Sequence, residues 1–149
     1  MLRSLVGSEM CIRDRSTVAN LNIDMIGRLD DWHDNGNYVY LIGSDRLSYD
    51  LHDLNEKINN EYIGIDLDYR FNDKDDPNRY YYRSDHYNFA KNNIPVIFYF
   101  NGVHEDYHKP SDTIEKLDFD KINTITKLIF LTAWEIANRD DRIKLRDDL

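Results

Sequence analysis

A seven-residue apolar run, Ile94-Pro95-Val96-Ile97-Phe98-Tyr99-Phe100, limits what this chain can fold into more than any other stretch. A membrane span takes about 20 apolar residues, so this run reads instead as a central buried strand with Pro95 at its entrance. The polar turn Arg83-Ser84-Asp85-His86-Tyr87-Asn88-Phe89 precedes it, and His104 to Thr113, dense in His, Glu, Asp and Tyr, follows it. Side chains in α/β proteins are delivered to sites from strand ends in this manner. The stretch therefore reads as one wall of a metal site.

The other segments supply neighbours for such a strand. Thr17 to Ile26 is expected to be a buried strand, with Val18, Leu21, Ile23, Met25 and Ile26 ending at Gly27. Asp34 to Asn37 is a turn signal, and the adjacent His33 reads as solvated. Tyr38 to Gly43 is the next strand. Ser48 is placed to cap a helix with Leu51, Leu54, Ile58 and Tyr62 on one face, leaving His52 exposed. Ile65 to Phe71 alternates like a half-buried strand. The acidic loop from Asn72 to Arg79 lacks the Gly and closing Glu of a calcium loop and reads as solvated, while at least two of Tyr80, Tyr81 and Tyr82 are expected to pack. Ser84 is expected to cap a short helix over Asp85 to Asn92. Asp118 should cap a last helix docking through Phe119, Ile122, Ile125, Ile129, Ala133 and Ile136, before a charged, fraying tail from Arg139 to Leu149.

Composition narrows the partners. The 149 residues carry 19 Lys and Arg against 28 Asp and Glu, a net charge of −9, which argues against nucleic acid as a partner, since phosphate binding needs a basic face. The pairs Asp30-Asp31, Asp75-Asp76, Asp140-Asp141 and Asp147-Asp148 read as solvated surface. Nothing in the sequence is long and apolar enough for a membrane segment. Residues 1–15 read as non-native, because Gly7 to Arg15 resembles a translated sequencing adaptor, so the domain proper is expected over residues 16–149. Cys11, the only cysteine, falls in that segment and leaves the rest without a thiol for a disulfide or zinc knuckle.

Two readings of the loop after Phe100 compete. The string His104-Glu105-Asp106-Tyr107-His108 fits H-E-x-x-H, in which two His one helical turn apart bind zinc and the Glu is the base. That requires a helix, and Asn101-Gly102 before it, Pro110 after it and the missing apolar stripe all oppose one. The alternative is a loop leaving the strand, with one His as ligand and Asp112-Thr113 behind it. Asp24, inside the earlier apolar run, is costly there unless paired or metal-bound. From the residues alone, pairing with Arg28 and ligation are both open.

The loop reading resembles the zinc-dependent aminopeptidases with two co-catalytic zinc ions, relatives of glutamate carboxypeptidase, glutaminyl cyclase and the transferrin receptor. The resemblance rests on Asn22-Ile23-Asp24-Met25-Ile26-Gly27, Arg83-Ser84-Asp85-His86, Ile94 to Phe100, and Asp106-Tyr107-His108 with Pro110 and Asp112-Thr113, in that order. It implies an α/β, three-layer zinc-exopeptidase fold, a mixed β-sheet flanked by helices, of which this chain would be the C-terminal part. It also implies Asp24 as ligand to one zinc, His108 as ligand to the other, and Tyr107 as donor to the oxyanion. Asp112 would orient the loop or the ligand His, and Asp85 and His86 would line the pocket wall.

The same resemblance places a first His ligand, a bridging Asp and a Glu-Glu pair upstream of Asp24, where residues 1–23 contain no His and no Glu pair and most read as non-native. The chain is thus expected to be a fragment of an aminopeptidase acting on peptides, inactive alone, with no general base of its own; an exported location is part of the resemblance. The single-zinc protease built on His104, Glu105 and His108, and a non-catalytic module of the same fold, are the competing readings.

Overall fold

The computed structural model describes residues 16–148; the expectation of a non-native segment over residues 1–15 lies outside them. Four strands form one mixed sheet, β1 (Asn20–Ile23), β2 (Tyr38–Ile42), β3 (Asp66–Asp68) and β4 (Val96–Phe100), in the order β1-β4-β2-β3. β4 runs parallel to β1, with Ile23 opposite Tyr99, and antiparallel to β2, with Tyr40 opposite Phe100; β3 is parallel to β2. Both central strands are buried at every residue, which is why they appear in the sequence as unbroken apolar runs.

Successive side chains leave the sheet on opposite faces. Val39, Leu41, Ile97 and Tyr99 enter a core built with α1 (Tyr49–Ile58) and α3 (Phe119–Asn138), through Leu51, Ile58, Ile125 and Leu128. Tyr38, Tyr40, Ile42, Val96, Phe98 and Phe100 enter a second core with Leu47, Tyr81 and Ala90, the last from the short α2 (His86–Ala90). The layers are helix, sheet, helix, the expected α/β architecture. Across the first core, the buried Asn55 of α1 accepts hydrogen bonds from Tyr99 Oη at 2.6 Å and Thr132 Oγ1 at 3.2 Å, tying β4 and α3 to one side chain.

Several elements differ from the sequence expectation, each for a local reason. β1 is four residues long and half-exposed instead of buried from Thr17 to Ile26; among the described residues it pairs only with β4, and Met25 turns away at a left-handed φ of 59°. β3 stops at Asp68, whose Oδ1 accepts the Arg70 amide at 2.8 Å and starts a 3-10 turn over Arg70–Asn72, a local bond that competes with the ladder. Ser48 caps α1 as expected, accepting from Leu51 N at 3.0 Å. The helix then widens into a π-helical turn, Asn59–Ile63, stopped by Gly64, which leaves Tyr62 exposed and off the apolar face.

Asp118 also caps as expected, accepting from Lys121 N at 2.9 Å. The buried row of α3, however, is Lys121, Ile125, Leu128 and Thr132 with Ile129 beside it, a 4-3-4 spacing that sets the inward stripe and leaves Phe119 and Ala133 outside. The tail does not fray. Ile143 is buried, Asp50 accepts from Arg139 Nη1 at 3.1 Å and Lys144 N at 2.9 Å, and Ser48 Oγ donates to Lys144 O at 2.6 Å. Asp30 and Asp76 are buried as well, so two of the four acidic pairs are not plain solvated surface.

Candidate metal centre

Parallel pairing brings the C-terminal ends of β1 and β4 to the same side of the sheet, the side where ligands bind in open α/β folds. Asp24 follows Ile23 directly, and its amide still reaches Tyr99 O at 3.3 Å. The loop carrying Tyr107 and His108 leaves from Phe100, one residue further along the partner strand. Because β2 is antiparallel, its first residue, Tyr38, comes to this end too, and the Tyr38 hydroxyl lies 2.9 Å from Asn101 O.

Asp24 is exposed and accepts one hydrogen bond, from Ser84 Oγ at 2.9 Å; Ser84 in turn accepts from Asn22 Nδ2 at 3.0 Å. Ser84 therefore serves Asp24 and does not cap α2, whose cap position is taken by the exposed Asp85 with no side-chain bond. Arg28 is not the partner of Asp24; it turns to the opposite loop. His108 is exposed, stacks on Tyr107 with ring centroids 3.8 Å apart, and sits at a left-handed φ of 58°. A non-glycine residue holds this backbone at a cost of about 1–3 kcal/mol, and such residues gather at functional sites. Met25, next to Asp24, and His108 are two of the four non-glycine residues with positive φ among those described.

Residues 104–108 form turns, not a helix, so His104 and His108 are not stacked one helical turn apart as H-E-x-x-H requires. His104 points instead toward Asp106 and Asp112, and ligand atoms of these three lie within 4.8 Å of one another, the one such group among the described residues. It has donors suited to a metal ion. Both of its carboxylates are, however, already paired: Arg28 Nη2 lies 2.6 Å from Asp106, Arg28 Nη1 contacts Asp112 closely, and Lys116 Nζ lies 2.7 Å from Asp106. The Arg28 hydrogen bond, then that of Lys116, holds the Asp106 carboxyl well below the usual carboxylate range. His104 Nε2 is 3.7 Å from Asp112, while burial, reinforced by Arg28, lowers the imidazole pKa. Asp24 and His108 belong to no such group of three among the described residues; they present a carboxylate and an imidazole at the surface. The chemistry of these carboxylate and imidazole donors fits a metal ion.

Beside this loop, an open depression of about 380 Å³ is lined by Arg28, Asp30, His104 and Lys116 among others. Asp30 is buried and accepts from Tyr40 Oη at close range, from Trp32 N at 3.1 Å and from His33 Nδ1 at 3.0 Å. Burial alone would raise its pKa, but the Tyr40 hydroxyl and His33 outweigh that and lower it. Gly102 is required here: at φ 87° a Cβ would come within 2.6 Å of the Asp30 carboxylate. His33, far from solvated, stacks on one face of Tyr38 at 3.4 Å, and Lys121 Nζ stands 3.3 Å from the centroid of the same ring.

His86 lies in the core with no exposed surface, stacked on Phe98 at 4.6 Å, and burial brings its pKa down to about 4. With no exposed surface it does not itself line an open pocket wall, while Asp85 is on the surface. Asp112 faces Arg28 and His104. Sequence reasoning gave no part to Arg28 on this loop, to Asp106 as a paired anchor, or to Lys116; the Asp106 to Asp112 spacing, with bases at 28 and 116, was the only signal.

Residues 3–133 match Peptidase family M28. Solved structures share the fold: the Legionella pneumophila LapA aminopeptidase, 21% identical with a TM-score of 0.69, covers 91% of this chain and 36% of that chain. A second Legionella LapA structure gives 24% and 0.68 over 90% and 36%. The aminopeptidase from Aneurinibacillus sp. strain AM-1 gives 19% and 0.63 over 95% and 31%. This chain spans about a third of the length of each. No curated protein sequence matches it. The family match covers most of its length, and the chain belongs to Peptidase family M28.

Proposed function

We propose that this chain is the part of a zinc-dependent aminopeptidase that holds Asp24 and His108, one terminal ligand for each of two zinc ions, and Tyr107, whose hydroxyl donates to the oxyanion. The observation that supports this most is the parallel register of β1 with β4, which sets Asp24 and the Tyr107–His108 loop at one end of the sheet. When bound, a zinc pair activates a water and polarises the scissile carbonyl. This chain's own contributions are ligation by the two side chains, orientation of Asp24 by Ser84, and hydrogen-bond donation by Tyr107 as negative charge develops. Asp112, paired with Arg28 and near His104, acts behind them. This reading assigns no bridging carboxylate and no general base among the described residues, and on it the chain alone hydrolyses no peptide. An exported location belongs to the same reading.

The turns over 104–108 disfavour the single-zinc reading on His104, Glu105 and His108. Metal analysis of the intact gene product separates the two. Two zinc ions per chain are expected, falling toward one in Asp24→Asn and in His108→Ala, with release of N-terminal residues lost in both. Glu105→Gln should keep its activity. Loss in Glu105→Gln together with retention in Asp24→Asn would establish the single-zinc protease, and metal-free protein with no turnover would establish the non-catalytic module.

A further inference from the structure

Arg28 stands four residues beyond Asp24, and its backbone is anchored by its neighbour, Gly27, whose carbonyl accepts the Asp118 amide at 2.9 Å at the start of α3. Its guanidinium crosses to the opposite loop and pairs with two carboxylates at once, Asp106 at 2.6 Å and Asp112 in close contact. Asp106 immediately precedes Tyr107, and Asp112 follows His108 by four residues. The two carboxylates thus flank the segment bearing the oxyanion donor and the ligand. Between them the chain turns on itself through Tyr107 N to His104 O at 3.0 Å, Lys109 N to Asp106 O at 2.8 Å and Asp112 N to Lys109 O at 3.1 Å.

From this geometry we infer that Arg28 is a positioning residue, a clamp that fixes the Tyr107–His108 loop against the strand end carrying Asp24. The inference rests on the zinc-peptidase reading for its consequence in catalysis, but its structural half stands by itself. A planar guanidinium holds two carboxylates in fixed directions, which a single ammonium does not. A left-handed non-glycine residue such as His108 persists only where its surroundings over-determine it, and pinning both flanks does so. The cluster of His104, Asp106 and Asp112 therefore receives from Arg28 and Lys116 the positive charge a metal ion would bring. Lys116 still holds Asp106 when Arg28 is removed, so replacement of Arg28 loosens the loop without stripping it of every anchor.

Two measurements test the clamp. In the 149-residue chain, hydrogen exchange is read at the amides of Tyr107, Lys109 and Asp112 in wild type, Arg28→Gln and Arg28→Lys. Exchange at these sites is expected to rise about tenfold or more in both variants, while the amides of β4 stay unchanged; unchanged loop exchange overturns the clamp whatever the enzyme does. In the intact gene product loaded with cobalt(II), Arg28→Lys is expected to keep two metal ions, to shift the visible d–d absorption, and to lower kcat about tenfold or more with KM nearly unchanged, since small misplacement of reacting groups is costly. A wild-type spectrum and kcat in Arg28→Lys overturn the positioning role. Wild-type protein without metal or turnover would instead remove the peptidase reading and leave the exchange result to decide the clamp. If Arg28→Gln does not fold, Asp112→Asn removes one arm and is read in the same way.

Discussion

His86 and Lys121 are buried titratable groups whose environments oppose their charged forms. His86 is packed against Phe98 and Tyr81, and burial lowers its pKa from 6.5 to about 4. Its folded-state value is depressed, so the unfolded chain binds the proton first. The stability it contributes is complete above pH 6.5 and is lost as pH falls through about 4. The full loss amounts to about 3 kcal/mol at one pKa unit per ~1.4 kcal/mol. His86→Phe, which keeps a ring against Phe98, should therefore flatten the acid limb: urea midpoints of wild type should drop between pH 7 and pH 4.5 much more than those of the variant. Equal drops would show that the acid sensitivity lies elsewhere. Lys121 follows the same sign, its pKa brought to about 7 by burial against the opposing pull of Asp30 and Asp118. The pattern of α3 did not reveal it, because a lysine in a helix is ordinarily read as solvated and only the Tyr38 ring beneath it explains its burial.

At the scale of elements, the segment after α3 is a strap. Arg139, Lys144 and Arg146 return to α1 and the turn before it: Arg146 N donates to Leu47 O at 2.9 Å, and Arg146 Nη1 donates to Asp45 O at 3.1 Å. Asp50 receives two of the strap's bonds and also places negative charge in the first turn of α1. Asp50→Ala should destabilise the chain by about 1–3 kcal/mol and speed exchange at the Lys144 amide. An unaltered denaturation midpoint would mean that the strap contributes nothing to the fold. From the sequence the strap looked like a fraying tail, since its charges have no periodicity and their partners lie some 90 residues away. α1 and α3 themselves were legible because Ser48 and Asp118 carry their caps in the sequence and the first turns need no tertiary help.

Over the whole molecule, the sheet closes on one side with the three-residue β3 and ends on the other with β1, whose second edge has no partner among the described residues. Phe119, Phe130 and Trp134 of α3 are each about 60% exposed, and Phe130 and Trp134 face each other at 6.1 Å. An open strand edge and clustered aromatic surface favour self-association. Sedimentation of the chain should show concentration-dependent association that Phe130→Lys with Trp134→Glu suppresses; a wild-type chain monomeric at high concentration would contradict this. No helix among the described residues is long and apolar enough to cross a membrane.

The sequence by itself determined whatever depends on near neighbours along the chain. The apolar runs of β2 and β4, the two capped helices and the polar loop after Phe100 follow from local pattern, and Asn101-Gly102 with Pro110 sufficed to argue against a helix over 104–108. Tertiary structure decided what depends on distant partners. It sent Arg28 to Asp106 and Asp112 instead of Asp24, gave Ser84 to Asp24 instead of α2, buried Asp30, His86 and Lys121, stacked His33 on Tyr38, and shortened β1 and β3. A charged side chain read from sequence alone has water as its default partner, and only the sheet order, by bringing two strand ends together, supplies ones that compete with it.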